Sequence, residues 1–127
     1  MRIRPDELLT RIRLPRNTTG ATHYYRKVGT RKAQPISKVC FAAIGRTNNG
    51  RIEDVRMAVG SVAPIVVRCV QTEAAIKGQT PDAATLKSAQ ASLFHEISPI
   101  DDIRSTANYR LQVASNLLAD FIATLRS

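Results

Sequence analysis

Apolar and polar residues alternate along residues 51–60. Val55, Met57 and Val59 fall on one side, and Asp54, Arg56 and Ala58 on the other. A period of two is that of a strand with one buried face. The run Val39-Cys40-Phe41-Ala42-Ala43-Ile44 is apolar on both sides. It predicts a strand covered on both faces, or one closely approached by another body. Between the two runs stands Thr47-Asn48-Asn49-Gly50. Asn-Gly in this position is a strong hairpin signal, because both central residues of the tight turn take positive φ. A hairpin over 39–60 is therefore the predicted scaffold.

Upstream, Thr10-Arg11-Ile12-Arg13-Leu14-Pro15 also alternates. The pattern over 8–15 predicts a short strand with Ile12 and Leu14 on one face, closed by a proline that cannot donate to a ladder. Residues 24–32 carry Arg26, Lys27, Arg31 and Lys32 around Gly29-Thr30. Their periodicity leaves a helical turn and extended chain both open, and Gln34-Pro35 disfavours helix beyond them.

After Gly60 the period lengthens to that of helices. Ser61-Val62-Ala63-Pro64 predicts a helix start, capped by Ser61 or Ala63 with Pro64 in the first turn. A stripe of Val66, Cys69, Val70, Ala74 and Ile76 follows, and Gly78 stops it. Thr80-Pro81-Asp82 opens a second helix with the stripe Leu86, Ala89, Gln90, Leu93 and Ile97, which Gln90 interrupts. Ser98-Pro99-Ile100-Asp101 offers a cap with an acid three residues later. The last helix is predicted over 103–125, on Ala107, Leu111, Ala114, Leu118, Ile122 and Leu125, widened by Val113, Leu117 and Phe121. Strands followed by helices indicate an α+β fold. The prediction is one domain over 1–127, a three-stranded antiparallel sheet packed against about three helices. A winged-helix-like module is the alternative, but no predicted helix is followed at helix-turn-helix spacing by a basic recognition face.

Composition narrows the classes. A chain of 127 residues, 43% hydrophobic, suits one domain with a real core, and its scarcity of aromatics makes that core mainly aliphatic. The net charge of +9 favours polyanions. It leaves open a solvated basic surface, nucleic-acid binding, and docking to an acidic partner or an anionic cofactor. Cys40 and Cys69 belong to no CxxC pair and read as buried free thiols of a reducing compartment, with a disulfide left open. No signal-peptide core and no apolar run of about 20 residues is present, so cytoplasmic location is the default expectation.

Catalytic motifs are sparse. There is no GxxxxGK[ST] and no GxGxxG. His23 and His95 stand apart, Ser37 and Ser61 lack a nearby His–acid pattern, and Asp101-Asp102 are explained as cap residues. The chain does not read as a complete enzyme. The basic segment is either a solvated loop or a place where backbone amides at Gly29-Thr30, with Lys27, Arg31, Lys32 and Lys38 around them, meet phosphate or carbonyl oxygens.

Four separated stretches carry a family resemblance. They are Tyr25-Arg26-Lys27-Val28-Gly29-Thr30-Arg31-Lys32 with Ile36-Ser37-Lys38-Val39; Ile52-Glu53-Asp54-Val55-Arg56-Met57-Ala58-Val59-Gly60-Ser61-Val62-Ala63-Pro64; Thr72-Glu73-Ala74-Ala75; and Asp102-Ile103-Arg104-Ser105-Thr106-Ala107-Asn108-Tyr109-Arg110. Together they resemble the C-terminal domain of the FAD-binding (medium) subunit of molybdenum hydroxylases, a family that includes xanthine dehydrogenase and aerobic carbon monoxide dehydrogenase.

The resemblance implies a domain that closes over one side of a flavin held by N-terminal subdomains absent from this sequence. In such enzymes electrons pass from a molybdopterin centre through [2Fe–2S] clusters to FAD and on to an acceptor. The implied cofactor is FAD in the assembled enzyme, bound weakly or not at all by this chain alone. The implied partners are a flavin-binding chain and molybdenum and iron–sulfur subunits, or a second copy of the chain. No metal ligands and no membrane contact are implied. Lys27 matches the family's lysine near the pyrimidine end of the ring, where a cation stabilises charge on the reduced flavin. Lys38 and Arg31 match basic positions facing the flavin or its access path. Xanthine dehydrogenases carry acids where Lys32, Ala33, Gln34 and Pro35 stand here, which leaves the acceptor open. The resemblance gives Asp102, Arg104, Tyr109 and Arg110 structural roles as cap, ion pair and packing. The competing class is a basic nucleic-acid-binding module.

Overall fold

Asn49 and Gly50 take φ of 49° and 73°, as the tight turn requires. They join β2 (Ser37–Asn48) to β3 (Arg51–Gly60). The computed structural model of the chain describes residues 3–13, 19–31 and 36–126. The weakly periodic basic segment forms β1 (Thr22–Gly29), which pairs antiparallel with β2. A two-residue β4 (Val67–Arg68) pairs with β3 and completes a four-stranded sheet in the order β1-β2-β3-β4.

Two irregularities in the ladder set which side chains face which way. Arg46 lies opposite Asp54 but Thr47 opposite Ile52, so Glu53 is an extra residue on β3. A bulge of this kind changes the facing by one position. It is why Ile52 is buried together with Val55, Met57 and Val59. The freed backbone of Ile52 bonds to the following turn, donating to Gln79 O at 2.9 Å and accepting from Gly78 N at 2.7 Å. Lys38 is likewise an extra residue on β2, because Val28 pairs with Val39 and Gly29 with Ser37.

Three helices cover one face of the sheet: α1 (Val70–Ile76), α2 (Ala83–Glu96) and α3 (Ala107–Thr124). Val39, Phe41, Val59, Leu93, Leu118, Phe121 and Ile122 have no exposed surface. Tyr24, Phe41 and Phe121 meet with centroids 5.8 to 6.3 Å apart, a spacing at which aromatic edges and faces attract. α3 crosses β2 so closely that a Cβ on Gly45 would lie 2.8 Å from Leu125 Cδ2. Gln90, the interruption in the α2 stripe, donates to Ser115 Oγ of α3 at 2.9 Å, so its amide is used.

Several expectations are corrected. Among the described residues of 8–15 there is no strand, and Leu8 and Ile12 are exposed. Alternation needs a neighbouring strand to pair with, and 8–13 have none; Leu14 and Pro15 lie outside the described residues. The sheet has four strands, because β1 is extended and the stretch expected to start a helix at 61–64 contributes β4. Ser61 turns the chain at φ 65°. The β-branched Val67 then pairs with Val59, and helix begins only at Val70. Of the two readings of the run 39–44, cover on both faces is not seen among the described residues, since Ala42 is exposed and Cys40 and Ile44 are half-buried; close approach by another body stays open.

α2 starts where expected, with Asp82 accepting from Thr85 N at 2.8 Å, and Gly78 at φ 79° ends the preceding turn. α3 starts four residues later than predicted. Asp102 Oδ1 accepts from Arg104 N and Ser105 N and folds 102–105 into a separate turn. Thr106, not Ser98, is the cap, accepting from Tyr109 N at 3.2 Å. α1 has only seven residues and no cap from its own N-terminus. Glu96 of α2 supplies one, accepting from Gln71 N and Thr72 N, both at 2.8 Å.

Candidate functional site

No described helix covers the other face of the sheet, although Val66 reaches over Gly60 at its edge, and the register gives its layout. Lys27, Cys40 and Gly60 form one cross-strand row. Tyr25, Ala42, Ala58 and Arg68 form the next, and His23, Ile44 and Arg56 the third. The middle of this grid is Cys40, Ala42, Ala58 and Gly60, all small. A shallow groove of about 430 Å³ runs over Ala42, Ala58 and Ile44 and is edged by His23, Arg56 and Arg68.

The chemistry of the rim follows from what each cation already holds. Arg68 is committed: its Nε and Nη2 donate to Glu73 at 3.1 and 3.0 Å, and its proton is held more firmly by that carboxylate. Glu73 also accepts from Met57 N at 2.8 Å, which ties α1 to the sheet edge. Arg56 pairs loosely with Asp54 at 3.8 Å, in the open, where such pairs contribute little. Lys27 is exposed and has no hydrogen bond or ion pair among the described residues. Tyr25 reaches from β1 to β2, and its hydroxyl accepts from the Cys40 thiol at 3.3 Å. That contact pushes the Tyr25 phenol up from its ordinary range.

The three residues singled out from the sequence are not gathered in one place. Lys27 stands on the open face opposite Cys40. Lys38, displaced by the bulge, places its ammonium 5.0 Å from the centroid of the Tyr109 ring on α3. Arg31 is exposed on a bend beyond β1. Arg26 turns to the helix side, with its guanidinium 5.4 Å from the centroid of the Tyr24 ring. Lys32 lies outside the described residues. His23, Tyr25, Cys40, Arg56 and Arg68 were not singled out. Odd-numbered β1 and even-numbered β2, β3 and β4 positions mark them, but the bulge at Glu53 had to be known to pair them.

Of the set expected to be structural, Asp102 and Arg110 form the ion pair, while Arg104 and Tyr109 are exposed. Arg110 has a side chain only 7% exposed and donates from Nη2 to Asp102 and from Nη1 to Ser61 O, each at 2.7 Å. The amide of Arg104, and after it Arg110, hold the Asp102 carboxyl below its usual range. Among the described residues no three His, Cys, Asp or Glu side chains are grouped to hold a metal ion. No described helix is long and apolar enough to cross a membrane.

Residues 20–125 match the family described as CO dehydrogenase flavoprotein C-terminal domain. The chain is 26% identical over 121 residues to the xanthine dehydrogenase FAD-binding subunit of Escherichia coli O157:H7. That match covers 93% of this chain and 41% of the relative, so the chain spans about two fifths of its curated relative's length. Its fold is shared with a chain of carbon monoxide dehydrogenase from Hydrogenophaga pseudoflava, at TM-score 0.76 and 22% identity over 86% of this chain and 39% of that one. A chain of quinoline 2-oxidoreductase from Pseudomonas putida 86 gives TM-score 0.74 at 21% identity, over 84% of this chain and 37% of that one. The chain belongs to the CO dehydrogenase flavoprotein C-terminal domain family.

Proposed function

We propose that this domain covers one side of a flavin held mainly by another part of a xanthine dehydrogenase-like FAD-binding subunit, and that it is not active by itself. The carrying observation is the open sheet face, with small residues Cys40, Ala42, Ala58 and Gly60 at its centre and the unpaired ammonium of Lys27 at one edge. A planar ring fits such a floor, since no side chain at its centre is larger than a thiol. The sequence has no GxGxxG loop to hold a pyrophosphate, which suits a cover better than a holder.

When bound in the assembled enzyme, the flavin accepts electrons arriving from molybdenum and iron–sulfur centres and passes them on. This chain's residues exclude water from one side of the ring and bring a fixed positive charge to its edge. Charge that develops on the reduced ring is then met by a cation already in place, at no cost in reorganisation. Lys27 is the residue assigned to that role. Arg31 and Lys38 serve the approach rather than the ring, because Lys38 is turned toward Tyr109.

The test is a titration of FAD into the purified chain, followed by flavin fluorescence, with and without a flavin-bearing chain of the xanthine dehydrogenase type. Little or no binding is expected alone, and a saturable one-to-one response with the flavin-bearing chain. Lys27→Met should lower the flavin potential in that complex, since the reduced anion loses its cation. Saturable FAD binding by the chain alone, lost in Lys27→Ala, would make this a self-sufficient flavin site. Tight duplex-DNA binding, with a log–log salt slope of about −0.9 per neutralised phosphate and no response to the flavoprotein, would replace the reading with a nucleic-acid module.

A further inference from the structure

We infer that the cavity at the end of the sheet beside α3 binds a small organic monocarboxylate with an apolar body. It is separate from the open sheet face. Its volume is about 500 Å³, and it lies between the start of β2, the end of β3 and the 98–104 segment. Pockets of roughly 300–1,000 Å³ with mixed walls and a few converging polar groups are typical of small-molecule sites.

The walls specify the ligand. Ser37, Ser61 and Ser98 line the cavity, and none of their hydroxyls has a side-chain hydrogen bond among the described residues. Arg104, an exposed residue, lines it too and is in no ion pair among the described residues. Two other charges in the wall cancel. Arg110 and Asp102 are joined at 2.7 Å, and the other Asp102 oxygen is occupied by the amides of Arg104 and Ser105. Among the described residues the cavity therefore offers one unpaired cation and three hydroxyls without a hydrogen bond, which suits a single carboxylate. Ile36, Pro64 and Ile100 form the apolar wall, and Ile36 and Ile100 are 64% and 70% exposed, so a ligand with an apolar body has surface to cover.

Two of the serines are held in place before any ligand arrives. Ser61 is held at φ 65°, and its carbonyl is clamped by buried Arg110. Ser98 N donates to Val62 O at 3.0 Å, which fixes the opposite wall. Preorganised polar groups reduce the ordering cost of binding.

The experiment is an amide NMR titration of the whole chain with phenylacetate. Phenethyl alcohol serves as the uncharged control and inorganic phosphate as the control without an apolar body. Phenylacetate is expected to shift the amides of Ser61 and Ser98 saturably, with little response to either control. Arg104→Gln should weaken binding by about tenfold or more, as expected for loss of a charge-assisted hydrogen bond. The substitution is at an exposed side chain and should leave the rest of the spectrum in place. Equal responses to phosphate and phenylacetate, or binding unchanged in Arg104→Gln, would overturn the site. Displacement of phenylacetate by an added flavin-bearing chain would assign the carboxylate to a partner's side chain and overturn the free-acid reading.

Discussion

The ammonium of Lys38 sits 5.0 Å from the centroid of the Tyr109 ring, which stacks this lysine against α3. Its register partner is missing because the bulge makes it the extra residue between Ser37 and Val39. Lys27, one strand away, makes no such contact. The two cations should therefore separate in their effects. Lys38→Met is expected to cost about 0.5–1 kcal/mol of stability through the lost cation–π contact. Lys27→Met should stay within about 0.5 kcal/mol of the parent, as for other unpartnered surface positions. Urea denaturation of both variants, with Tyr109→Leu as the matching partner deletion, decides the point. Equal stability losses would show that Lys27 has a structural role.

Gly45 gives a second test, at the crossing of α3 over β2. A methyl group there would meet Leu125 Cδ2 at 2.8 Å and Phe121 Cζ at 3.1 Å. Phe121 is fully buried and cannot move aside without opening the aromatic cluster. Gly45→Ala is expected to destabilise by about 1–3 kcal/mol, the range for overpacking a core. Adding Leu125→Ala should return part of that loss, because the two sites share one space and their effects will not add. Strict additivity in a double-mutant cycle would mean that the helix shifts as a whole.

Glu73 joins α1 to the edge of the sheet. Its side chain accepts from Met57 N and from Arg68, and it is nearly buried. Glu73→Ala leaves the Met57 amide without a partner, at a cost of about 1–3 kcal/mol. Glu73→Gln retains an acceptor and should lose less. Hydrogen exchange at Met57 provides a local measure, and unchanged protection in Glu73→Ala would show that another group replaces the carboxylate.

The hairpin, the capping of α2 by Asp82 and the buried stripe of α3 were legible because each depends on residues close in sequence. Asn49-Gly50 sets a turn, Asp82 reaches Thr85, and Ala114, Leu118 and Ile122 recur at helical spacing. The layout of the open face was not legible to the same degree. Counting back from Asn48 opposite Arg51 puts Ala42 across from Met57, whereas the bulge at Glu53 puts it across from Ala58. One inserted residue exchanges the faces, and no local signal in Ile52-Glu53-Asp54 announces it. β4 was hidden for a related reason. Val67 can belong to a helix or a strand, and pairing with Val59 across the intervening turn selects the strand. Lys27 was found through a resemblance to a family, whereas Tyr25 and Cys40 needed the register.

Acid should weaken the molecule through two carboxylates. Asp82 is held below its usual range, first by the amide of Thr85 and then by the Thr80 hydroxyl. Asp102 is held down first by the amide of Arg104. A carboxyl lowered by folding contributes stability that is fully present above its unfolded value of about 3.9 and lost as pH falls through its folded value. The urea midpoint should therefore be insensitive to these groups at neutral pH and decline below about pH 4. In the Asp82→Asn, Asp102→Asn double variant that decline should be shallower. An unchanged slope would place the acid sensitivity elsewhere.

The two thiols should differ sharply in reactivity. Cys69 has no exposed surface, and burial, followed by Glu96 and Glu73, pushes its thiol up to about 12. At neutral pH it holds roughly a thousandfold less thiolate than an unperturbed cysteine, and thiolate is the reactive form. Cys40 is only half-buried on the open face, and its sulfur contacts the exposed Tyr25 hydroxyl. A maleimide or disulfide reagent should label one cysteine in the native protein, Cys40, and reach Cys69 only on unfolding. If a flavin-bearing chain covers the open face as proposed, adding it should slow Cys40 labelling while leaving the Cys69 rate set by unfolding. Labelling of Cys40 that proceeds at the same rate in such a complex would show that docking leaves this face open to solvent.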